Sequence, residues 1–291
     1  SKGKKLSAAD YYNRGIELSD NSDEELAAYT EAIRLNPRLG VAYTNRGSIR
    51  ETRGDLDGAL ADFNEAIRLD PGDAEAYNNR GNVRKAQGDL DGALVDYDEA
   101  IRLGPNATRY FNRGIARKVQ GDLDGALADY NEAIRLNPRD AMAYYNRGLV
   151  RVAQRDKAGA LADYSEAIRL NPNYVEAYCN RGNLRRDRRD FDRALADYNE
   201  AIRLNPQFTE AFLGRGSTHY ILGNWEGALA DSSEVIRLNP LDGYNWRGDM
   251  YKRMGRIQEA IADYQKYVEL GGTSEWVKKT LAELKAQQRK K

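Results

Sequence analysis

The sequence predicts an all-α fold: an array of eight helical hairpins closed by one capping helix. Three observations predict it. Glycines preceded by arginine recur at Gly15, Gly47, Gly81, Gly114, Gly148, Gly182, Gly216 and Gly248, spaced 32, 34, 33, 34, 34, 34 and 32 residues apart, so one structural unit is used eight times. All seven prolines (Pro37, Pro71, Pro105, Pro138, Pro172, Pro206 and Pro240) stand at the end of a repeat. Proline has no amide hydrogen and disfavours helix in the residue before it, so each one marks a helix end. Between these marks small and apolar residues recur at helical spacing. In the third repeat Tyr77, Gly81 and Arg84 precede the turn Gln87-Gly88-Asp89, and Ala93, Leu94, Tyr97, Ala100, Ile101 and Leu103 follow it.

Each repeat therefore reads as two helices folded back on one another. Gly81 and Ala93 are small where the helices cross and let the backbones approach, while the tyrosines and leucines fill the space around the crossing. In chain order, residues 1–6 are expected to be a flexible N-terminus, 7–272 the eight-hairpin array, and 273–291 a capping helix with a basic tail. Length changes fall where an array can absorb them: hairpin 1 is short across Asp20 to Glu25, and the connections Pro105 to Gly114 and Pro240 to Gly248 are short. After Gly271-Gly272, the segment from Thr273 to about Gln288 carries Trp276, Thr280, Leu281 and Leu284 on one face and Lys278, Lys279, Glu283 and Lys285 elsewhere. This predicts a cap with its apolar side on the last hairpin. Gln287 to Lys291 is expected to fray.

Composition excludes several function classes. Lys plus Arg total 45 and Asp plus Glu total 45, so no global field draws the chain to nucleic acid or to an anionic membrane, and neither is expected as a partner. No apolar run approaches the roughly 18 residues that span a bilayer. Cys179 is the only cysteine and His219 the only histidine. No zinc site, internal disulfide or nucleophile-base pair can be assembled from them, so no metal, cofactor or catalytic residue is expected. With no disulfide to form and no signal-peptide pattern in Ser1 to Lys5, the reading favours a soluble chain in the cytoplasm over an exported one.

The recurring pattern Tyr-x-Asn-Arg-Gly, followed by Gly-Asp-Leu-Asp-Gly-Ala-Leu-Ala-Asp-Tyr-x-Glu-Ala-Ile-Arg-Leu-Asn-Pro, resembles the tetratricopeptide repeat of bacterial proteins from residue 7 to about residue 270. The resemblance implies a right-handed superhelical α-solenoid whose first helices line a concave groove that holds a protein or peptide ligand. Two features depart from the family pattern: arginine stands before the glycine where leucine is more usual, and Arg155 and Arg189 replace the turn glycine. The carboxylate clamp of chaperone-binding members is not matched, since Tyr12 and Ile16 occupy its places in hairpin 1 and Asn78 and Asn82 in hairpin 3.

Comparing the hairpins with one another separates scaffold from message. The second helix is nearly constant. In the first helix an asparagine stands two residues before the glycine in six hairpins, at Asn13, Asn45, Asn79, Asn112, Asn146 and Asn180, and is replaced by Gly214 and Trp246 in the last two. Asparagine is a mediocre helix former, and its amide offers the donor and acceptor that hold a peptide backbone. The arrangement is similar to the asparagine ladder of O-linked GlcNAc transferases; the competing use is to bridge neighbouring helices. Around it, Phe111, Ile115, Val119, Met142, Tyr145, Leu149, Val152 and Ala153 form an expected apolar patch in hairpins 4 and 5, between polar flanks such as Glu75, Asn82 and Lys85 or Glu176, Asn183 and Arg186.

The arginines before the glycines, with Arg50, Arg84, Arg117, Arg151 and Arg185 four residues later, suggest a phosphate-binding stripe. Asp62, Asp96, Asp129, Asp163, Asp197, Asp231 and Asp263 in matching register on the second helices favour internal ion pairs instead. The chain is accordingly expected to be a non-enzymatic scaffold gripping an extended or short helical peptide. The alternative is a homo-oligomer that docks its end into a neighbour's groove.

Overall fold

The computed structural model describes residues 5–288; the expected N-terminal flexibility and frayed tail fall partly on residues 1–4 and 289–291, outside that range. The described residues form 17 α-helices and no strand. They fall into two compact units divided after Asp156.

The first unit holds α1 (Ala8–Leu18), α2 (Asp23–Leu35), α3 (Gly40–Thr52), α4 (Leu56–Leu69), α5 (Ala74–Ala86), α6 (Leu90–Leu103), α7 (Ala107–Gln120), α8 (Leu123–Leu136) and α9 (Ala141–Ala153). The second holds α10 (Lys157–Leu170), α11 (Val175–Asp187), α12 (Phe191–Leu204), α13 (Thr209–Ile221), α14 (Trp225–Leu238), α15 (Pro240–Arg253), α16 (Ile257–Glu269) and α17 (Glu275–Gln288). In both, each helix packs on the next, and the first helices of neighbouring hairpins also touch, as α5 does with α3 and α7, and α11 with α13.

Local chemistry sets these boundaries. Asp55, Asp89 and Asp122 cap α4, α6 and α8 by accepting the amide three residues on. The glycine before each of these caps, Gly54, Gly88 or Gly121, has a left-handed backbone (φ +79°, +86° and +91°) that the tight turn requires. Arg155 and Arg189 adopt the same conformation with φ of 65° and 62°, so the turn keeps its shape at a steric cost to the arginines. At the other boundary Pro240 opens α15 as well as following α14, because Asn239 caps both helices.

Within a hairpin the crossing is built on glycine against an aromatic ring. A Cβ on Gly81 would stand 2.8 Å from Tyr97 Cε1, and Gly47 meets Phe63, Gly114 meets Tyr130 and Gly182 meets Tyr198 in the same way. These rings and the alanines beside them, such as Ala93 and Ala100, are fully buried. Exposed Glu-Arg pairs three residues apart decorate the second helices, as at Glu65 and Arg68, and add little to stability.

The cap forms as expected, with one correction. Val277, Leu281 and Leu284 are buried in a cluster with Ile261, Tyr264 and Tyr267, and Thr280 is buried as well. Trp276, expected on that buried face, is 51% exposed; its ring lies edge-on to Tyr264 with Lys252 above it.

Candidate functional site

Beyond hairpin 1 the arginines before the glycines are structural. In four hairpins that lie whole within a unit, one buried aspartate takes two arginines. Arg80 binds Asp96 through Nε at 3.0 Å and Nη2 at 2.7 Å, and Arg84 adds Nη1 at 3.0 Å. Arg46 and Arg50 serve Asp62, Arg113 and Arg117 serve Asp129, and Arg181 and Arg185 serve Asp197. Arg215 and Arg247 pair singly with Asp231 and Asp263. Seven of the eight leading arginines, Arg46 to Arg247, also lie over the aromatic ring three residues before them, as Arg80 does over Tyr77 at 5.3 Å; Arg14 of hairpin 1 is exposed and lies 3.9 Å from Glu24. Several reach back to the preceding hairpin, Arg80 to Asn64 and Arg113 to Asp98. A guanidinium held by a carboxylate, a ring and a neighbouring hairpin is not offered to a ligand.

The asparagines are largely used within the protein. Asn45 donates to the Tyr29 hydroxyl, Asn79 to Ser48, and Asn112 to Asn78 Oδ1, each reaching the preceding hairpin. Asn78 in turn donates to Asn79 Oδ1. Asn146 donates to the Met142 carbonyl and accepts from Lys118 Nζ at 3.0 Å. The amides of Asn79, Asn112 and Asn146 thus bridge neighbouring first helices and that of Asn45 reaches the second helix α2, the use that competed with ligand binding. Among the described residues Asn45 Oδ1 and Asn112 Oδ1 accept no hydrogen bond. Asn13 is exposed and Asn180 half-buried.

The apolar patch separates into two depths. Phe111 and Ile115 are half-buried and pack against the cluster of Ala126, Tyr130 and Val150, the Phe111 and Tyr130 ring centroids lying 5.8 Å apart. Their expected role as open groove residues is narrowed accordingly. Tyr145 and Leu149 are half-buried. Val119, Met142 and Val152 are the exposed ones, at 61%, 54% and 39%. Val119 stands one helical turn beyond Ile115 on α7, while Met142, Tyr145, Leu149 and Val152 run along one stripe of α9. Lys118 clasped to Asn146 joins the two helices beside that stripe.

One feature of this face was not read from the sequence. Tyr97, Tyr198 and Tyr264 each donate their hydroxyl to a polar residue on the first helix of their own hairpin: Asn82, Asn183 and Asp249. In hairpin 4 that place is Ile115, and the Tyr130 hydroxyl is buried without a partner. Asn146, the counterpart of the Asn45 that reaches Tyr29, is turned to Met142 and Lys118 instead. The signal was available by comparing residue 115 with residues 82, 183 and 249 and asking what each tyrosine bonds to.

Cys179 is buried with Ala194, Tyr198 and Ala211. Burial pushes its thiol up to about 12, which keeps it an unreactive packing residue. No group of His, Cys, Asp and Glu among the described residues could hold a metal ion, and no helix there is long and apolar enough to cross a membrane.

Stacked helical hairpins with an apolar stripe on their first helices define the class of repeat scaffolds that bind other proteins. Family models described as TPR repeat match residues 47–88, 116–154 and 157–185, and those described as tetratricopeptide repeat match 74–106, 175–208 and 241–270. Together they span more than half of the chain, which belongs to the tetratricopeptide-repeat family. No curated protein matches the sequence. Solved structures of similar fold include a tetratricopeptide repeat protein from Parabacteroides merdae, 24% identical over 84% of this chain and 98% of that one, with a TM-score of 0.62. PilF of Pseudomonas aeruginosa is 22% identical over 69% of this chain and 92% of its own, with a TM-score of 0.63. YrrB, a TPR protein with an unusual peptide-binding site, is 24% identical over 65% of this chain and 98% of its own, with a TM-score of 0.56.

Proposed function

We propose that the chain is a non-enzymatic scaffold that binds an extended or short helical peptide segment along the first helices of its first unit, with an apolar anchor against Val119, Met142, Leu149 and Val152. The observation that carries this reading is the Tyr130 hydroxyl. Leaving a buried donor unpaired costs about 1–3 kcal/mol, and an asparagine at position 115 would satisfy it as Asn82 satisfies Tyr97. Isoleucine there makes the face apolar at the expense of the fold, which is the mark of a surface kept for a guest. The free Oδ1 atoms of Asn45 and Asn112 can accept backbone N–H groups from that guest, and the peptide-binding site named for YrrB agrees with this use of the fold.

The test is direct binding to peptides selected from a random library against the intact chain. Met142→Asp should abolish binding of sequences with a bulky apolar anchor, because a carboxylate would be buried unpaired, while Val95→Asp on α6, where Val95 is 65% exposed, should not. Equal loss in both variants, or in neither, would refute the assignment. A mass that rises with concentration in light scattering, and is reset by Met142→Asp, would give the face to a second copy of the chain instead.

A further inference from the structure

Hairpin 7 departs from the repeat both inside and outside. Inside, Ser232 stands where every other second helix carries its crossing aromatic ring, and Trp246 of the next hairpin fills the space, its Cη2 2.6 Å from where a Gly216 Cβ would be. Outside, the turn between α13 and α14 is apolar. In hairpins 3, 4 and 5 a glutamine at the tip of this turn ties the hairpin to the one before it: Gln87 donates to Asp57, Gln120 to Asp91 and Gln154 to Asp124. Leu222 holds that place in hairpin 7. Ile221, Leu222 and Trp225 are 56%, 48% and 43% exposed, and the Tyr220 ring lies edge-on to that of Trp225 with centroids 5.1 Å apart. A Cβ on Gly223 would meet nothing within 4 Å, so the tip stands clear of the rest of the protein. Apolar side chains gathered on such a tip mark a surface that a partner covers.

The turns on either side are rich in arginine. Hairpins 6 and 7 touch through α11 and α13, and Ile221 of hairpin 7 and Arg253 of hairpin 8 line one cleft, so the three tips form one edge of the second unit. The stretches around these tips, 185–193, 219–227 and 251–259, together hold eight Lys and Arg against five Asp and Glu, whereas the matching stretches of hairpins 2, 3 and 4 (50–58, 84–92 and 117–125) hold six against seven. The zero total charge of the chain, which argued against an anionic membrane, conceals this local excess. Pairing sharpens it. Asp187 is taken by Lys157 and Arg186, Asp190 by Arg193, and Glu259 by Arg256. Among the described residues Arg188 and Arg189, at the tip of hairpin 6, have no carboxylate partner. The carboxylates left over, Asp192 and Glu226, lie in the first turns of α12 and α14, where the helix N-terminus offsets their charge. Arg189 keeps its place at φ 62°, in a left-handed backbone that costs an arginine more than the glycine of other turns.

We propose that this edge docks on an anionic lipid surface, with Ile221, Leu222 and Trp225 entering the headgroup boundary and Arg188 and Arg189 on lipid phosphates. Arginine pairs with phosphate oxygens through two parallel hydrogen bonds, and indole and phenol rings favour the boundary between membrane and water. Shape favours a membrane over a protein of the same charge: an acidic peptide is held in a groove, and these side chains stand on a tip, which a fluid surface closes around. The docking is peripheral, since no helix among the described residues crosses a bilayer. It lies in the second unit and does not rest on the face proposed for the first.

The experiment sediments the full chain with vesicles of phosphatidylcholine alone and of phosphatidylcholine mixed equally with phosphatidylglycerol. The chain should pellet with the mixed vesicles, less so as salt is added, and stay in solution with the neutral ones. The variants put in residues that other hairpins carry at the same places, so the fold is kept, and melting curves check that it is. Leu222→Gln, as in hairpins 3 to 5, should weaken binding by about tenfold or more through the lost apolar contact. Arg188→Gln with Arg189→Gly should weaken it by about twentyfold, at about fivefold for each charge near an anionic surface. Met142→Asp should leave it unchanged, which separates this edge from the face on the first unit. No sedimentation with the mixed vesicles, equal sedimentation with the neutral ones, or indifference to Leu222→Gln would overturn the inference. Binding to immobilised polyglutamate in place of vesicles, lost with Arg188→Gln, would overturn it as well by giving the edge to an acidic protein.

Discussion

Gly216 and Trp246 are packed so closely that any side chain on the glycine would collide with the indole. The relationship implies that Ser232 and Trp246 depend on each other. Trp246→Asn, which restores the common asparagine, should cost about 2–4 kcal/mol through the cavity it opens. Ser232→Tyr alone should cost about 1–3 kcal/mol by overpacking against the indole. The double variant should be more stable than the sum of the two losses by at least about 1 kcal/mol, because the tyrosine then fills the hole. Denaturant unfolding of the three variants checks this, and strict additivity would show that the two residues do not share a space.

The doubly bound aspartates predict a graded response. Arg80→Ala leaves Arg84 on Asp96 and should cost about 1–3 kcal/mol, the value of a charged hydrogen bond in a partly buried place. Asp96→Ala strands two guanidinium groups at once and should cost about 3–5 kcal/mol. Thermal unfolding of the two variants gives the order. Loss of ligand binding by Arg80→Ala without loss of stability would return the arginine stripe to a binding role.

The Tyr130 hydroxyl predicts a loss of function at little cost in stability. Ile115→Asn should supply the missing partner and so offset, by about 1 kcal/mol, the lost packing of the isoleucine on Ala126, Tyr130 and Val150, leaving stability near that of the parent, while weakening apolar-anchored peptides several-fold by making the face polar. A stable variant that binds as well as the parent would remove the argument that the isoleucine serves a ligand.

Lys118 predicts a pH effect of defined sign. Burial holds its ammonium below the usual lysine value, so the fold disfavours the charged form. At pH 7 the lysine is charged in both states and the penalty is fully present. As pH rises through the lowered folded value towards the ordinary one, the folded state sheds the proton first and the penalty is relieved. Lys118→Met should therefore raise the melting temperature near neutral pH, by a margin that shrinks in alkaline buffer. A margin that grows with pH would contradict the burial of the ammonium.

The period was legible because glycine, proline and the crossing aromatics each have one backbone or packing reason to stand where they do. The arginine-aspartate pairing was legible from charge balance, though not the second arginine that Asp62, Asp96, Asp129 and Asp197 accept. What the sequence did not reveal was depth and exchange. Helical spacing places Phe111 and Met142 on similar faces, yet Phe111 turns onto Tyr130 while Met142 stays open. Trp276 likewise shares a stripe with Leu281 but lies at its exposed margin. The two uses of the asparagines, ligand and bridge, could not be separated, because an amide's partner one hairpin away, such as Ser48 for Asn79, is invisible to periodicity. The exchange of Ser232 for the ring of Trp246 required both residues to be seen in one space.

The central claim, that a peptide lies along the first helices of the first unit, is tested most directly by placing a photoreactive residue at position 119, 142 or 152, or at position 95 on the second helix α6, and illuminating each variant with a library-selected peptide. The account predicts peptide adducts at the first three positions and none at position 95. Adducts at position 95 with none at 119, 142 and 152 would place the ligand on the second helices and contradict it.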